Sequence, residues 1–292
     1  ILNINNRGSS SQGFNGLPPE LGGLEKLETL NISHDFSGKG LDLTTMLDFI
    51  GDLQNLKSLT IKNCNYGEKM PESWRNLSKL EKLTLDGTGF VDLGPISDMV
   101  SLKEINIQND AITDLPDLSR LTKLTTVTLS RNTELAEIPA SVMKVRSLKI
   151  LSLYPNYLER IPDDWSELVN LTELTLHNFN APNKIKGTLP ASMGAMTKLT
   201  KFDVRYNEFE GQIPAEFGNF TELATFNIEY NKFTSIAIGV LPSFKKVKNL
   251  TLSENSFTEL PADITQMTWL TQLKALNNEF TGELPADIGN LE

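Results

Sequence analysis

Hydrophobic and polar positions alternate in short bursts along this chain, and the bursts recur on a near-constant period. In "LATFNIEYN" (223–231), Phe226 and Ile228 fall on one side of an extended segment, and Thr225, Asn227 and Glu229 fall on the other. The same L-x-x-L-x-L-x-x-N spacing reads "LETLNISHD" (27–35), "LKSLTIKNC" (56–64), "LEKLTLDGT" (80–88), "LKEINIQND" (102–110), "LTTVTLSRN" (124–132) and "LKILSLYPN" (148–156). It continues through "LTELTLHNF" (171–179), "LTKFDVRYN" (199–207), "VKNLTLSEN" (247–255) and "LTQLKALNN" (270–278), and "LNINNR" (2–7) supplies part of a twelfth copy. Most start points lie 22 to 24 residues apart, with longer steps from 27 to 56 and from 171 to 199. A period of that size predicts stacked supersecondary units rather than one globular core.

Each unit opens with a short strand that buries one face and wets the other. Asn132, Asn156, Asn207, Asn231, Asn255 and Asn278 close their motifs, where a side-chain amide can bond the backbone of neighbouring turns as a buried polar ladder. Phe209, Phe233, Phe257 and Phe280 follow two residues after an Asn and predict a second apolar column, stacked turn on turn. Pro214, Pro261 and Pro285 fix the backbone ahead of the return path, and "PAEFGNFTEL", "PADITQMTWL" and "PASVMKVRSL" read as one or two helical turns. Trp74, Trp165 and Trp269 fall in or just after return segments, a place for packing. Two irregularities interrupt the period. "FSGKGLDLTTMLDFIGDL" (36–53) carries Leu43, Met46, Leu47 and Ile50 at helical spacing and predicts a longer helix. "FNAPNKIKG" (179–187) puts Phe179 where Asn is expected and adds a polar loop, read as a second contact element.

On these motifs the chain resembles the leucine-rich-repeat family over nearly its whole length. The "G-x-I/L-P-x-x-I/F-G-x-L" return is similar to that of plant receptor ectodomains and of surface proteins of gut Bacteroidetes. The resemblance implies an α/β fold: a right-handed, horseshoe-like solenoid with a parallel β-sheet on its concave side and short helical or irregular convex segments. It implies one domain, 1–292, of about twelve repeats. The chain opens at Ile1 and stops at "IGNLE", where another motif would begin, so both ends are expected to be cut. Any membrane attachment is then expected in segments absent from this chain.

Composition narrows the partner. A net charge of −10 argues against nucleic acid, whose phosphates need a basic face. No stretch is apolar for long enough to cross a bilayer. The one cysteine, Cys64, stands in the Asn position, cannot form an internal disulfide, and reads as a small buried residue. Plant receptors of this kind carry Cys-paired caps, and their lack here leans the resemblance toward a bacterial protein. Sequons occur at Asn31, Asn76, Asn170, Asn219 and Asn249; the repeat's own "N-L-T/S" preference accounts for most of them.

No catalytic constellation is evident. His34 and His177 are about six repeats apart, Cys64 has no partner His, and the carboxylates of "DLPDL" and "PDD" are loop residues without acid/base spacing. We therefore expect no enzyme, no metal site and no cofactor. Read in register, the central strand column (Asn31, Thr60, Thr84, Asn106, Thr128, Ser152, Thr175, Asp203, Asn227, Thr251, Lys274) is mostly short and polar, as strand propensity alone predicts. The two columns beyond it turn aromatic and charged in four consecutive repeats. Tyr154, His177, Arg205, Tyr206, Glu229 and Tyr230 are expected to form one partner-binding patch, since Tyr and Arg give large contact area with a polar handle. The plainer alternative pairs Arg205 with Glu229 across turns as an ordinary solvated ion pair. The expectation is a non-catalytic recognition module, extracellular or on the cell surface, taking a protein or peptide ligand or a glycan. A receptor ectodomain and an architectural adhesin or spacer are the alternatives.

Overall fold

The computed structural model describes residues 1–6, 19–34, 45–63, 66–177 and 184–291. Cys64, Phe179, residues 36–44 of the first irregular segment and 179–183 of the second lie outside the described residues. Two compact units emerge: Ile1–Leu135 with Pro139–Ser147, and Ala136–Ile138 with Leu148–Glu292.

The first unit holds β1 (Leu2–Asn6), β2 (Thr29–His34), β3 (Ser58–Lys62), β4 (Lys82–Asp86), β5 (Glu104–Gln108) and β6 (Thr126–Ser130). Each pairs with the next in parallel and without offset, so Leu59 meets Leu83 and Ile61 meets Leu85. The equal repeat length produces that register: every turn returns the chain to the same height, and apolar residues stack only on apolar ones. The second unit holds, in chain order, β7 (Ile150–Ser152), β8 (Glu173–Thr175), β9 (Lys186–Gly187), β10 (Lys201–Asp203), β11 (Glu208–Ile213), β12 (Thr225–Asn227), β13 (Lys232–Ile236), β14 (Asn249–Thr251) and β15 (Gln272–Lys274). Six of them pair in parallel in the order β7-β8-β10-β12-β14-β15. The other three form a second parallel sheet, β9-β11-β13.

Between the strands and the return segments sits the core. Phe202 and Phe226 stack at 5.8 Å between ring centroids, and Phe209 and Phe233 at 6.2 Å with planes 9° apart. Phe257 is buried in the same column, but Phe280 is 38% exposed, because no later turn among the described residues packs over it. The return segments are 3-10 rather than α-helical, as in Glu72–Asn76, Ala191–Ala195, Ala215–Asn219 and Ala262–Gln266, each following a proline. Five residues leave room for i→i+3 closures, such as Phe217 N to Pro214 O at 3.1 Å, but for little more. The helix expected in the first irregular segment is also 3-10, Thr45–Asp52, and buries Leu47 and Ile50. Trp74 and Trp165 are fully buried, with indole N–H groups donating to Leu47 O and Pro162 O. Trp269 is half-buried under the Lys245 ammonium, 4.0 Å from its ring.

The asparagine ladder is present. Asn231 directs Nδ2 at Val204 O and Ile228 O, both at 3.0 Å, while its Oδ1 accepts from Phe209 N at 3.1 Å. Asn255 repeats this one turn on, with Ile228 O, Leu252 O and Phe233 N. In the first unit Asp110 and Thr88 stand in the same place, and Asp110 Oδ1 accepts from Thr88 N, Thr88 Oγ1 and Gly89 N.

Candidate functional site

All six expected patch residues belong to the second unit, on the segments that leave β7, β8, β10 and β12. The strands stop after three residues, at Ser152, Thr175, Asp203 and Asn227. The next two or three residues carry the patch. Tyr154, 41% exposed, and half-buried His177 put their rings 4.2 Å apart with planes 38° from parallel. His177 Nδ1 is buried without a hydrogen-bond partner. Burial, helped by the Arg205 and Lys201 charges and opposed by Asp203, lowers its pKa, so the imidazole is neutral at physiological pH.

Arg205 does not pair with Glu229. Its guanidinium forks onto Asp203, with Nε to Oδ1 and Nη2 to Oδ2 both at 2.9 Å. Asp203 is the charged member of a column otherwise filled by Ser, Thr and Asn in this part of the sheet, and it is only 2% exposed. A carboxylate so buried needs a cation, and Arg205, two residues on, supplies it. Burial works against the Arg205 charge, but its hydrogen bonds and attraction to Asp203 outweigh it and hold the pKa above the ordinary value. Glu229 is left to accept from Thr251 Oγ1 at 2.6 Å.

Tyr206 and Tyr230 stack at 4.3 Å with planes 12° apart. Both sit in left-handed backbone, at φ 58° and 56°. So do Asn63, Asn109, Arg131, Glu254 and Asn277, with Gly87 at φ 65°, each one place before the ladder residue. This kink ends the strand and swings the following side chain into the core; Asn207 N and Asn231 N then bond Tyr230 O and Glu254 O of the next turn. Pro155 holds the same place after a cis peptide bond. A bulky residue in this region is an outlier, whereas Asn and Gly are at home there. Reading the column as outward positions missed the kink. The signal was available, since Asn63, Asn109, Asn277 and Gly87 are the types that a left-handed site selects. Burial, and after it the Tyr230 phenol, raises the Tyr206 pKa, so that ring stays neutral.

The described end of the second irregular segment joins the small sheet, with Lys186 opposite Glu208 and Gly187 opposite Phe209. Among the described residues no group of three His, Cys, Asp or Glu side chains could hold a metal ion. No helix among them is long and apolar enough to cross a membrane.

Comparison with known proteins follows the same lines. A leucine rich repeat family model matches residues 122–181, and a second of that description matches 198–220. The chain is 32% identical over 187 residues to an adenylate cyclase of Schizosaccharomyces pombe, covering 62% of this chain and 10% of that protein. Among solved structures, the Leptospira interrogans LRR protein LIC12759 superposes with a TM-score of 0.70 at 21% identity, covering 99% of this chain and 88% of that one. The plant peptide hormone receptor RGFR1 in complex with RGF2 superposes with a TM-score of 0.66 at 24% identity, covering 94% of this chain and 48% of that one. Repeat spacing, parallel register, family matches and shared fold together identify the chain as a leucine-rich-repeat protein.

Proposed function

We propose that this chain is a non-catalytic recognition module that binds a protein or peptide through the strand face of its second unit, outside the cell or at its surface. The observation that carries the reading is the pair of aromatic stacks on consecutive turns, Tyr154 on His177 and Tyr206 on Tyr230, with Tyr154 and Tyr230 more than 40% exposed. Exposed, preorganised rings give contact area at low entropic cost, the usual make-up of an interface anchor. One protein of the same fold is a peptide hormone receptor seen with RGF2, which supports a peptide as the ligand. That the same fold serves a peptide hormone receptor supports the extracellular placement.

The test is selection of random displayed peptides on the immobilised chain, followed by calorimetric titration of those recovered. Tyr206→Asn with Tyr230→Asn removes the upper stack, and Gln266→Ala, exposed on a return segment, is the control. Loss of binding by about tenfold or more in the first variant alone supports the site. Equal binding in both removes the patch from the function. Failure to recover any peptide removes peptide recognition itself and favours a spacer role.

A further inference from the structure

Charge around the upper stack is unbalanced. The patch's one arginine is already spent: Arg205 directs Nε and Nη2 at Asp203, and the two form a neutral unit. His177 carries no charge at physiological pH, as shown above. Lys201 opens β10, at the opposite end of its strand from the stack, and Lys274 closes β15, two strands beyond β12. Two carboxylates remain. Glu229 immediately precedes Tyr230, and Glu254 is the counterpart of Tyr230 one turn on, its carbonyl accepting from Asn231 N at 2.9 Å. Neither forms an ion pair among the described residues. Neutral donors hold both in place, Thr251 Oγ1 on Glu229 Oε1 and Asn277 Nδ2 on Glu254 Oε1.

The tyrosines supply the other half of a cation site. Tyr230 is 43% exposed and its ring is fixed by the stack on Tyr206. The face of a phenol ring attracts a cation, and more so where water is partly excluded. A cation resting on this stack would have one carboxylate in the same turn and another one strand spacing away, about 4.8 Å. An acidic or purely apolar ligand would instead cover Glu229 and Glu254 without compensating them. Resting on the recognition reading above, we infer that the Tyr206–Tyr230 stack with Glu229 and Glu254 recognises a basic side chain, arginine or lysine, of the bound peptide. The stack selects for charge, and Tyr154 with His177, two strands earlier, adds neutral contact area.

The same displayed-peptide selection tests this, now read for sequence. The recovered peptides are expected to share an arginine or lysine at one position. Replacing that residue by glutamine in a recovered peptide should weaken binding roughly tenfold, the size of a partly desolvated cation–π contact beside a carboxylate. Glu229→Gln with Glu254→Gln should cause a similar loss, and the two changes combined should cost little more than either alone. Raised salt should weaken the parent pair and leave the doubly changed pair nearly unaffected. The carboxylate variant changes no apolar packing, and circular dichroism of the parent and variant chains checks that both are folded. Peptides recovered without a shared basic residue, or whose basic residue can be replaced without loss, overturn the inference. If the Tyr206→Asn, Tyr230→Asn chain still loses those peptides, the recognition reading stands without it. If that chain keeps them, or no peptide is recovered, both fall together.

Discussion

Asp110 holds a place where six other turns carry Asn, and it satisfies only half of the duty. It is 4% exposed. Oδ1 accepts from Thr88 N at 2.7 Å, Gly89 N at 2.8 Å and Thr88 Oγ1 at 3.1 Å, whereas Oδ2 is buried with no partner. In the next turn Asn132 uses its Nδ2 to donate to Ile107 O at 3.2 Å, a role that a carboxylate oxygen cannot fill. An unsatisfied buried acceptor costs about 1–3 kcal/mol, so Asp110→Asn should stabilise the first unit by about 1–2 kcal/mol at neutral pH. Burial raises the Asp110 pKa, and the bonds from Gly89 and Thr88 only partly oppose it. The folded chain therefore holds this proton more tightly than the unfolded chain. Stability contributed by the site falls as pH rises from the unfolded value, about 3.9, through the raised folded value, and is level above it. The variant has no such proton, and every other titrating group cancels in the difference. Its advantage should be full at neutral pH and shrink toward about pH 4. Urea unfolding of both chains across that range, followed by tryptophan fluorescence, measures it. Equal stability at neutral pH, or an advantage that does not change with pH, would refute the reasoning.

Two further substitutions test the packing of the second unit. Asn231→Ala removes the amide that serves Val204 O, Ile228 O and Phe209 N, and should cost about 2–4 kcal/mol in urea unfolding. Faster hydrogen exchange at the Phe209 amide would localise the loss, and unchanged exchange there would argue against the ladder as its cause. Gly194→Ala should destabilise by about 1–3 kcal/mol, since an added Cβ would lie 2.5 Å from Glu216 Cβ and 2.7 Å from Glu216 O in the next return segment. A variant as stable as the parent would mean that the return segments slide apart freely.

The strands were legible because stacked parallel strands must match like residues in register, and the apolar period of the sequence is that register made visible. The 3-10 character of the returns was not, because five residues such as "AEFGN" bury the same Phe217 whether the closure is i→i+3 or i→i+4. Nor was the second sheet. "EFEGQI" and "KFTSI" look like loop sequence, and they pair only because the first sheet holds their turns at matching height. In the site, spacing located the columns but not the partner of Arg205. Two carboxylates compete for it, and the competition is decided by burial: an unpaired Asp203 at 2% exposure costs more than a Glu229 left half in water.

The left-handed tyrosines make a different kind of evidence. A bulky residue at φ near 57° costs on the order of 1 kcal/mol or more against Asn or Gly, and the chain accepts this at Tyr206 and again one turn later at Tyr230. Stacking the two rings returns about 0.5–1.5 kcal/mol, so the pair gives folding no net gain that Asn at both places would lack. Asn63, Asn109 and Asn277 fill the same column at no such cost and say nothing about binding. Arg131, at φ 55° in the first unit, and Glu254, at φ 57°, carry the same cost, so strain alone does not mark a binding turn; what sets Tyr206 and Tyr230 apart is that two consecutive turns accept it and put their rings 4.3 Å apart.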